Sequence, residues 1–346
     1  TMRLARLTLR QDILDPATEV TVLEYPIDPE GAIHMGGGLC MDAKGHLHLG
    51  TGDNCPPIPE LPVDWRPGQS GNDAMRTSAN TQDLRGKILR IRPKPDGSYD
   101  IPSGNLFADP KAGRPEIYAM GCRNPFRVSV DDRTGCVYWG DVGPNIQTDL
   151  DLGPNGYDEV HRAPKAGFFG WPLCVGPNEA YRRFDFATRK AAEPFDPLRP
   201  RNLSPNNTGA QELPPAQPAW IWYPSQNSTI FPSLGSGGRS AMAGPVYHAA
   251  RYRAVRLDAQ LGPYRPRGGK RQPTRGHPFS PGRPFPQAHR PEVRPGWHPV
   301  CHRVRGQVGP ESGLADHPHR LPPGQPRPDG AYRGRSAGWA SSIESP

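Results

Sequence analysis

The segment His34-Met35-Gly36-Gly37-Gly38-Leu39-Cys40-Met41-Asp42-Ala43-Lys44-Gly45-His46-Leu47-His48-Leu49-Gly50-Thr51-Gly52-Asp53-Asn54 decides the fold. Apolar residues alternate with others on both sides of an Asp-Ala-Lys-Gly turn, the pattern of two short antiparallel strands. A histidine and a flexible glycine run lead into the hairpin. A Gly-Asp-Asn exit carrying a carboxylate leads out, so groups capable of chemistry stand beside both strand termini.

The same pattern returns at Val128-Ser129-Val130-Asp131-Asp132-Arg133-Thr134-Gly135-Cys136-Val137-Tyr138-Trp139-Gly140-Asp141. The turn glycines Gly45 and Gly135 are 90 residues apart, twice the roughly 45-residue period of a propeller blade. Working outward, residues 4–27 read as two strands, the second being Thr18 to Tyr25. Residues 55–80 form a Pro- and Gly-rich excursion without periodicity, of the kind that is usually functional or disordered. Asp83 to Ile91 returns to alternation, with Leu84, Ile88 and Ile91 expected inward and Lys87 and Arg90 expected to face water. Pro95 to Ser98 is a turn, and Glu116 to Gly121 enters the second hairpin. Residues 176–218 read as a long Pro-rich connection, and Pro218 to Tyr223 as an aromatic strand. No stretch has helical periodicity, so the expected class is all-β.

The chain is long enough, at 346 residues, to bury a sizeable core. Its 46 Pro, 40 Gly and mean hydropathy of -0.71 favour a loop-rich chain. Net charge is +8, but residues 1–250 hold 25 Lys+Arg against 28 Asp+Glu, and residues 251–346 hold 17 against 6. The basic excess therefore lies wholly in the last part. Six cysteines show neither a Cys-x-x-Cys pair nor a zinc spacing. No apolar run approaches the roughly 18 residues of a membrane span. The opening residues lack a signal-peptide core and begin inside a strand-like pattern, which points to missing upstream sequence that could include a leader.

Four groups could carry chemistry. His34, ahead of three glycines, could present its imidazole as a general base, or be an ordinary loop histidine. Asp53 could orient that imidazole or close an Asx turn. Arg123 and Asn124, in Gly121-Cys122-Arg123-Asn124-Pro125, could hold an anion, because guanidinium offers a planar donor fork. The Gly153-Pro154-Asn155 turn with Asp158 and Glu159 is an oxygen-only donor set, suited to Ca²⁺ rather than zinc or copper.

Taken in order, these segments resemble the soluble glucose/sorbosone dehydrogenase family, quinoproteins that use pyrroloquinoline quinone (PQQ) and Ca²⁺ on a six-bladed β-propeller. The resemblance covers about residues 30–175 and, more loosely, 215–248. It rests on His34 and its hairpin to Asp53, on Leu84-Arg85-Gly86-Lys87-Ile88-Leu89-Arg90, on Gly121-x-Arg123-Asn124-Pro125, on Gly153-Pro154-Asn155 with Asp158-Glu159, and on Gly170-Trp171-Pro172. It implies that His34 takes the proton of a sugar's anomeric hydroxyl as hydride passes to the quinone, with Asp53 beside it. It implies that Arg123 and Asn124 contact the quinone, Arg123 stabilising developing negative charge. The carbonyls of Gly153 and Pro154 would ligate the Ca²⁺ at the cofactor, while Glu159 and the Phe169 carbonyl would form a second, structural calcium site. A sugar substrate, a quinone or cytochrome acceptor, no nucleic-acid partner and a periplasmic or secreted location follow from the same resemblance. The chain departs from the family where Phe126 follows Asn-Pro in place of Gln, and in the length of the 55–80 excursion. Two other readings of such a propeller are a Ca²⁺-dependent sugar lactonase and a non-catalytic carbohydrate- or protein-binding module.

After His248 the alternation stops and Arg, Pro, Gly and His dominate. The expected organisation is therefore a partial propeller over residues 1–248 and an Arg/Pro/Gly-rich disordered tail over 249–346. Codons chosen for Phe285 to Val308 and read one nucleotide out of phase can encode a third alternating hairpin with a Gly-Pro-Asp-Gly turn and a Gly-Asp exit. That suggests a frameshift near residues 249–254, which a nucleotide read across the codons for Tyr247 to Leu261 would expose.

Overall fold

A computed structural model describes residues 1–28, 33–56, 61, 63–144 and 151–248. All lie in one compact unit, Thr1–Val304, and the second unit, Arg305–Pro346, falls outside the described residues. So do the expected tail and the shifted-frame hairpin. The strands are β1 (Met2–Arg10), β2 (Ile13–Tyr25), β3 (Leu39–Met41), β4 (Leu47–Thr51), β5 (Lys87–Pro93), β6 (Tyr99–Asp100), β7 (Ile117–Met120) and β8 (Pro125–Asp131). They continue as β9 (Cys136–Asp141), β10 (Asp158–Ala163), β11 (Gly167–Phe168), β12 (Cys174–Val175), β13 (Glu179–Ala180), β14 (Arg182–Asp185), β15 (Lys190–Pro194) and β16 (Ile221–Tyr223). One short helix, α1 (Ala74–Thr77), lies in the 55–80 excursion.

Ten of these strands form two sheets, and β1–β2, β12–β13 and β14–β15 pair separately. The first runs β11-β7-β5-β4-β3 with β6 appended to β5, and the second runs β16-β10-β9-β8. Within each the neighbours are antiparallel, except that β11 lies parallel to β7. Both hairpins read from the sequence are present, with Leu39 opposite Leu49 and Val128 opposite Trp139. The aromatic strand is β16, which adds to the second sheet through Val160 and Ile221. The chain is all-β in character, with two four-stranded antiparallel meanders, β3-β4-β5-β7 and β8-β9-β10-β16, among the described residues.

The sheets meet where β8 lies against β3 and β4. A Cβ built on Gly50 would come within 2.5 Å of the Pro125 carbonyl, so only glycine permits this approach. Between the sheets Ile88, Tyr118, Val128, Val137, Trp139 and Phe169 form one apolar cluster, and Trp139 is fully buried. A larger cluster ties the first sheet to α1, to the β1–β2 hairpin and to the segment from Trp171 to Tyr181. Gln11 and Asp12 both have positive φ, the conformation of a two-residue turn that suits strand twist.

Three expectations need correction. Lys87 does not face water: it is fully buried, and its Nζ donates to the carbonyls of Thr77, Ser78 and Arg85. Burial pulls its pKa down to about 7. Two of those carbonyls belong to the C-terminal end of α1, where a cation is favoured, and alternation in β5 carries no trace of them. The excursion also contains a helix, α1, N-capped by the Asp73 side chain on the Met75 N–H; four residues are too few to show a period. The 176–218 connection contains the hairpin β14–β15 and contributes to the pair β12–β13. The five described cysteines are free thiols, and among the described residues no helix is long and apolar enough to cross a membrane.

Because β8 packs alongside β3 and β4, with Pro125 against Gly50 and Phe126 against Gly38, the strand termini of the two meanders gather into two groups. At one end stand Gly36–Gly38, Thr51, Lys87, Met120, Pro125, Asp141 and Glu159. At the other stand the turns 42–46 and 132–135, with Ile91, Ile117 and Ala163.

Candidate active site

His34 lies at the first of these ends. Its Nδ1 is 2.9 Å from Asp53 Oδ1, with both side chains largely buried. With a carboxylate as acceptor, Nδ1 carries the proton, and Nε2 is left as the lone-pair nitrogen without a hydrogen bond among the described residues. Asp53 is fully buried. Its Oδ1 also accepts from the Cys55 N–H at 3.0 Å, and its Oδ2 accepts from Trp171 Nε1 at 2.9 Å. One carboxylate thus both closes an Asx turn onto Cys55 and hydrogen-bonds the His34 imidazole. His34 has φ near 50°, and its carbonyl accepts from Asn54 N–H. A Cβ on Gly52 would stand 1.7 Å from that carbonyl, so the histidine can reach Asp53 only across a glycine.

Arg123 and Asn124 adjoin this pair. The Arg123 carbonyl accepts from Asp53 N–H at 2.7 Å, and the Asn124 side-chain carbonyl accepts from Gly36 N–H at 3.0 Å. Their own N–H groups donate to the two oxygens of Asp141, at 2.9 and 2.6 Å. Arg123 Nη1 donates to the carbonyls of Val142 and Gly143, which parks the guanidinium 5.8 Å from the Trp171 ring centre. Asp141 is wholly buried, and burial pushes its pKa up to about 7, with Glu159 adding to the rise and the two N–H donors opposing it.

The positions expected to bind calcium are not drawn together to the same degree. Gly153 is exposed and lies against Ala180 and Tyr181, with Pro154 beside it half-buried. Glu159 Oε1 accepts from Gly176 N–H at 2.6 Å, and its Oε2 is 3.6 Å from His161 Nε2. Phe169 packs edge-on to the same His161 ring, so Glu159 and Phe169 share a neighbour. Among the described residues no three His, Cys, Asp or Glu side chains group as a metal site. The carbonyls of Gly153, Pro154 and Phe169 accept no hydrogen bond among the described residues, so carbonyl donors are what these positions offer a hard cation.

Sequence reasoning missed the roles of Trp171 and Asp141. Trp171 was visible only as part of Gly170-Trp171-Pro172, and Asp141 as a Gly-Asp strand exit resembling Gly52-Asp53. That resemblance between the two exits was the available signal: each carboxylate accepts the N–H groups of a turn at the same strand end.

The oriented His34–Asp53 pair, buried Arg123 and half-buried Asn124 thus stand together at one end of the sheets of a mainly β chain. The sequence model of the Glucose / Sorbosone dehydrogenase family matches residues 1–197, more than half of the chain, and the chain belongs to that family. Among its relatives, the HIPL1 protein of Arabidopsis thaliana is 29% identical over 157 residues, 42% of this chain and 19% of its own length. The aldose sugar dehydrogenase YliI of Escherichia coli (strain K12) is 27% identical over 142 residues, 41% of this chain and 30% of its own. The matched stretch thus spans less than a third of these relatives. Among solved structures, the PQQ-bound aldose sugar dehydrogenase of Streptomyces coelicolor superposes with a TM-score of 0.37 at 20% identity, over 66% of this chain and 47% of that one. The apo form of the soluble Escherichia coli aldose sugar dehydrogenase gives 0.38 at 21%, over 67% and 55%.

Proposed function

We propose that this chain is a sugar dehydrogenase oxidising the anomeric hydroxyl of an aldose, with residues 1–248 forming part of a six-bladed propeller. The observation that carries the reading is the His34–Asp53–Trp171 chain of hydrogen bonds, which fixes one tautomer and leaves Nε2 as the base. His34 Nε2 takes the hydroxyl proton as the anomeric C–H bond is broken. Asp53 holds the resulting imidazolium in place, and Trp171 keeps the Asp53 carboxylate from turning away. Arg123 fixes positive charge beside this pair, and Asn124 anchors the glycine run that positions His34.

The donor chemistry fits an anionic quinone: Arg123 and Asn124 are set at the same end as His34, on backbone held by Asp141. Bound PQQ would supply the two-electron acceptor for the hydride leaving the sugar. Calcium held by the Gly153 and Pro154 carbonyls would polarise the quinone as a Lewis acid, and Glu159 with the Phe169 carbonyl would hold a second, structural calcium. A quinone or cytochrome as final acceptor and a periplasmic or secreted location belong to the same proposal.

The test is reconstitution of the full chain with PQQ and Ca²⁺, followed by aldose oxidation with an artificial acceptor. Turnover that needs both additions and falls at least about 100-fold in His34→Ala supports the reading. Lactone hydrolysis without quinone would replace it with the lactonase, and sugar binding without turnover would replace it with the non-catalytic module.

A further inference from the structure

The opposite end of the same strands encloses a cleft of about 770 Å³. It lies between the β3–β4 turn, the β8–β9 turn, the outer half of β5, the 100–104 loop and the turn after β10. Strands of five to seven residues, at about 3.3 Å each, put it roughly 13–20 Å from the His34 end. No role assigned above uses any of its residues.

Its charge is unbalanced in a specific way. Five cations line it: Lys44, Arg90, Arg92, Arg133 and Lys165. Three carboxylates line it too, and each is already engaged. Asp42 Oδ1 accepts from the N–H groups of Lys44 and His46, and its Oδ2 lies 2.9 Å from His46 Nδ1. Asp132 accepts from Ala43 N–H, and Asp100 pairs with Lys94 outside the cleft. None of the five cations has a carboxylate partner among the described residues. Arg90 is held rather than loose: Nε donates to Asn105, Nη2 to the Ser103 carbonyl, and its guanidinium lies 4.7 Å above the Tyr118 ring centre.

The wall behind these cations contains an orphan. His48 lines the cleft yet is only 1% exposed, stands edge-on to Tyr118, and its Nδ1 has no hydrogen-bond partner among the described residues. A buried polar atom without a partner needs an explanation, and a ligand or the water it displaces would provide one here. Burial holds this imidazole down at about 4, so at neutral pH it offers hydrogen bonding rather than charge.

We propose that this cleft binds a small organic polyanion, one carrying two or more carboxylate or phosphate groups on a sugar-sized skeleton, at a site separate from His34. The concave shape and the volume lie in the range of small-molecule sites. Cations on several sides demand more than one negative group. A volume of about 770 Å³ suits a carbon skeleton rather than a bare ion.

The test is calorimetric titration of the full chain with citrate, with fructose 1,6-bisphosphate and with glucose, at 0.05 and 0.3 M salt. Both anions, or one of them, should bind, weakening several-fold at the higher salt, and glucose should not bind there. Preference between citrate and fructose 1,6-bisphosphate identifies the anionic group. Lys165→Glu and Arg133→Glu alter exposed side chains and should each weaken the anion at least 5-fold, and the pair at least 20-fold, with the unfolding midpoint unchanged. The proposal is overturned if neither anion binds at 0.05 M salt, if glucose competes equally, or if the charge reversals leave binding within 2-fold.

Discussion

Replacing Asp53 by Asn changes one atom in a site where three donors meet two oxygens. His34 Nδ1 and Cys55 N–H converge on Oδ1, and Trp171 Nε1 on Oδ2, at 2.9, 3.0 and 2.9 Å. An amide has one acceptor oxygen. If it serves His34 and Cys55, its NH₂ faces the indole N–H; if it turns to serve Trp171, its NH₂ faces Cys55 N–H. Either way at least one buried donor is left unpaired, at a cost of about 1–3 kcal/mol, and Asp53 is too deeply buried for water to relieve it. Denaturant unfolding of Asp53→Asn should therefore show a loss of about 2 kcal/mol. The ¹⁵N signals of the His34 ring should also show loss of the fixed Nδ1–H tautomer. Trp171→Phe removes the competing donor, so the double variant should be less damaged than the sum of the singles, by about 1 kcal/mol. A single variant within 0.5 kcal/mol of the parent, on the order of ordinary surface substitutions, with the tautomer retained, would refute the reasoning.

Two further outcomes follow from the same strand end. Gly52→Ala sets a Cβ 1.7 Å from the His34 carbonyl, so it should cost about 3 kcal/mol in thermal unfolding and abolish any His34-dependent activity; wild-type stability would mean that the 34–54 contact is not made. Asp141, raised by burial from 3.8 to about 7, binds its proton more tightly in the folded chain than in the unfolded one. Its contribution is full below about pH 4 and is lost as pH rises through 7, a swing of about 4 kcal/mol. Unfolding measured from pH 4 to 8 should show this fall in the parent and not in Asp141→Asn; parallel curves would exclude it.

The hairpins were legible because Leu39, Met41, Leu47 and Leu49, and later Val128, Val130 and Val137, repeat with the period of a half-buried strand. His34, Asp53, Arg123 and Asn124 were legible as chemistry-bearing residues at strand termini, and the structure brings them into one network. What stayed hidden depended on partners far away in sequence. Lys87 sits at a position that alternation assigns to water, and only the fold supplies the three carbonyls that receive it. Trp171 lies 118 residues from the carboxylate it steadies. The strand Arg182–Asp185 alternates no apolar residues, being held by pairing with Lys190–Pro194 rather than by a buried face.

The ties across the sheet boundary have a consequence for how such a chain can be altered or recombined. Asp53 N–H on the Arg123 carbonyl, Gly36 N–H on Asn124, and both of those residues on Asp141 stitch the first sheet's working loops to the second. Half of what aims His34 is therefore encoded almost ninety residues downstream of it. The repeating unit suggested by the hairpins is not the portable unit: a first sheet transplanted between relatives would arrive without its alignment unless residues 121–124 and Asp141 travelled with it.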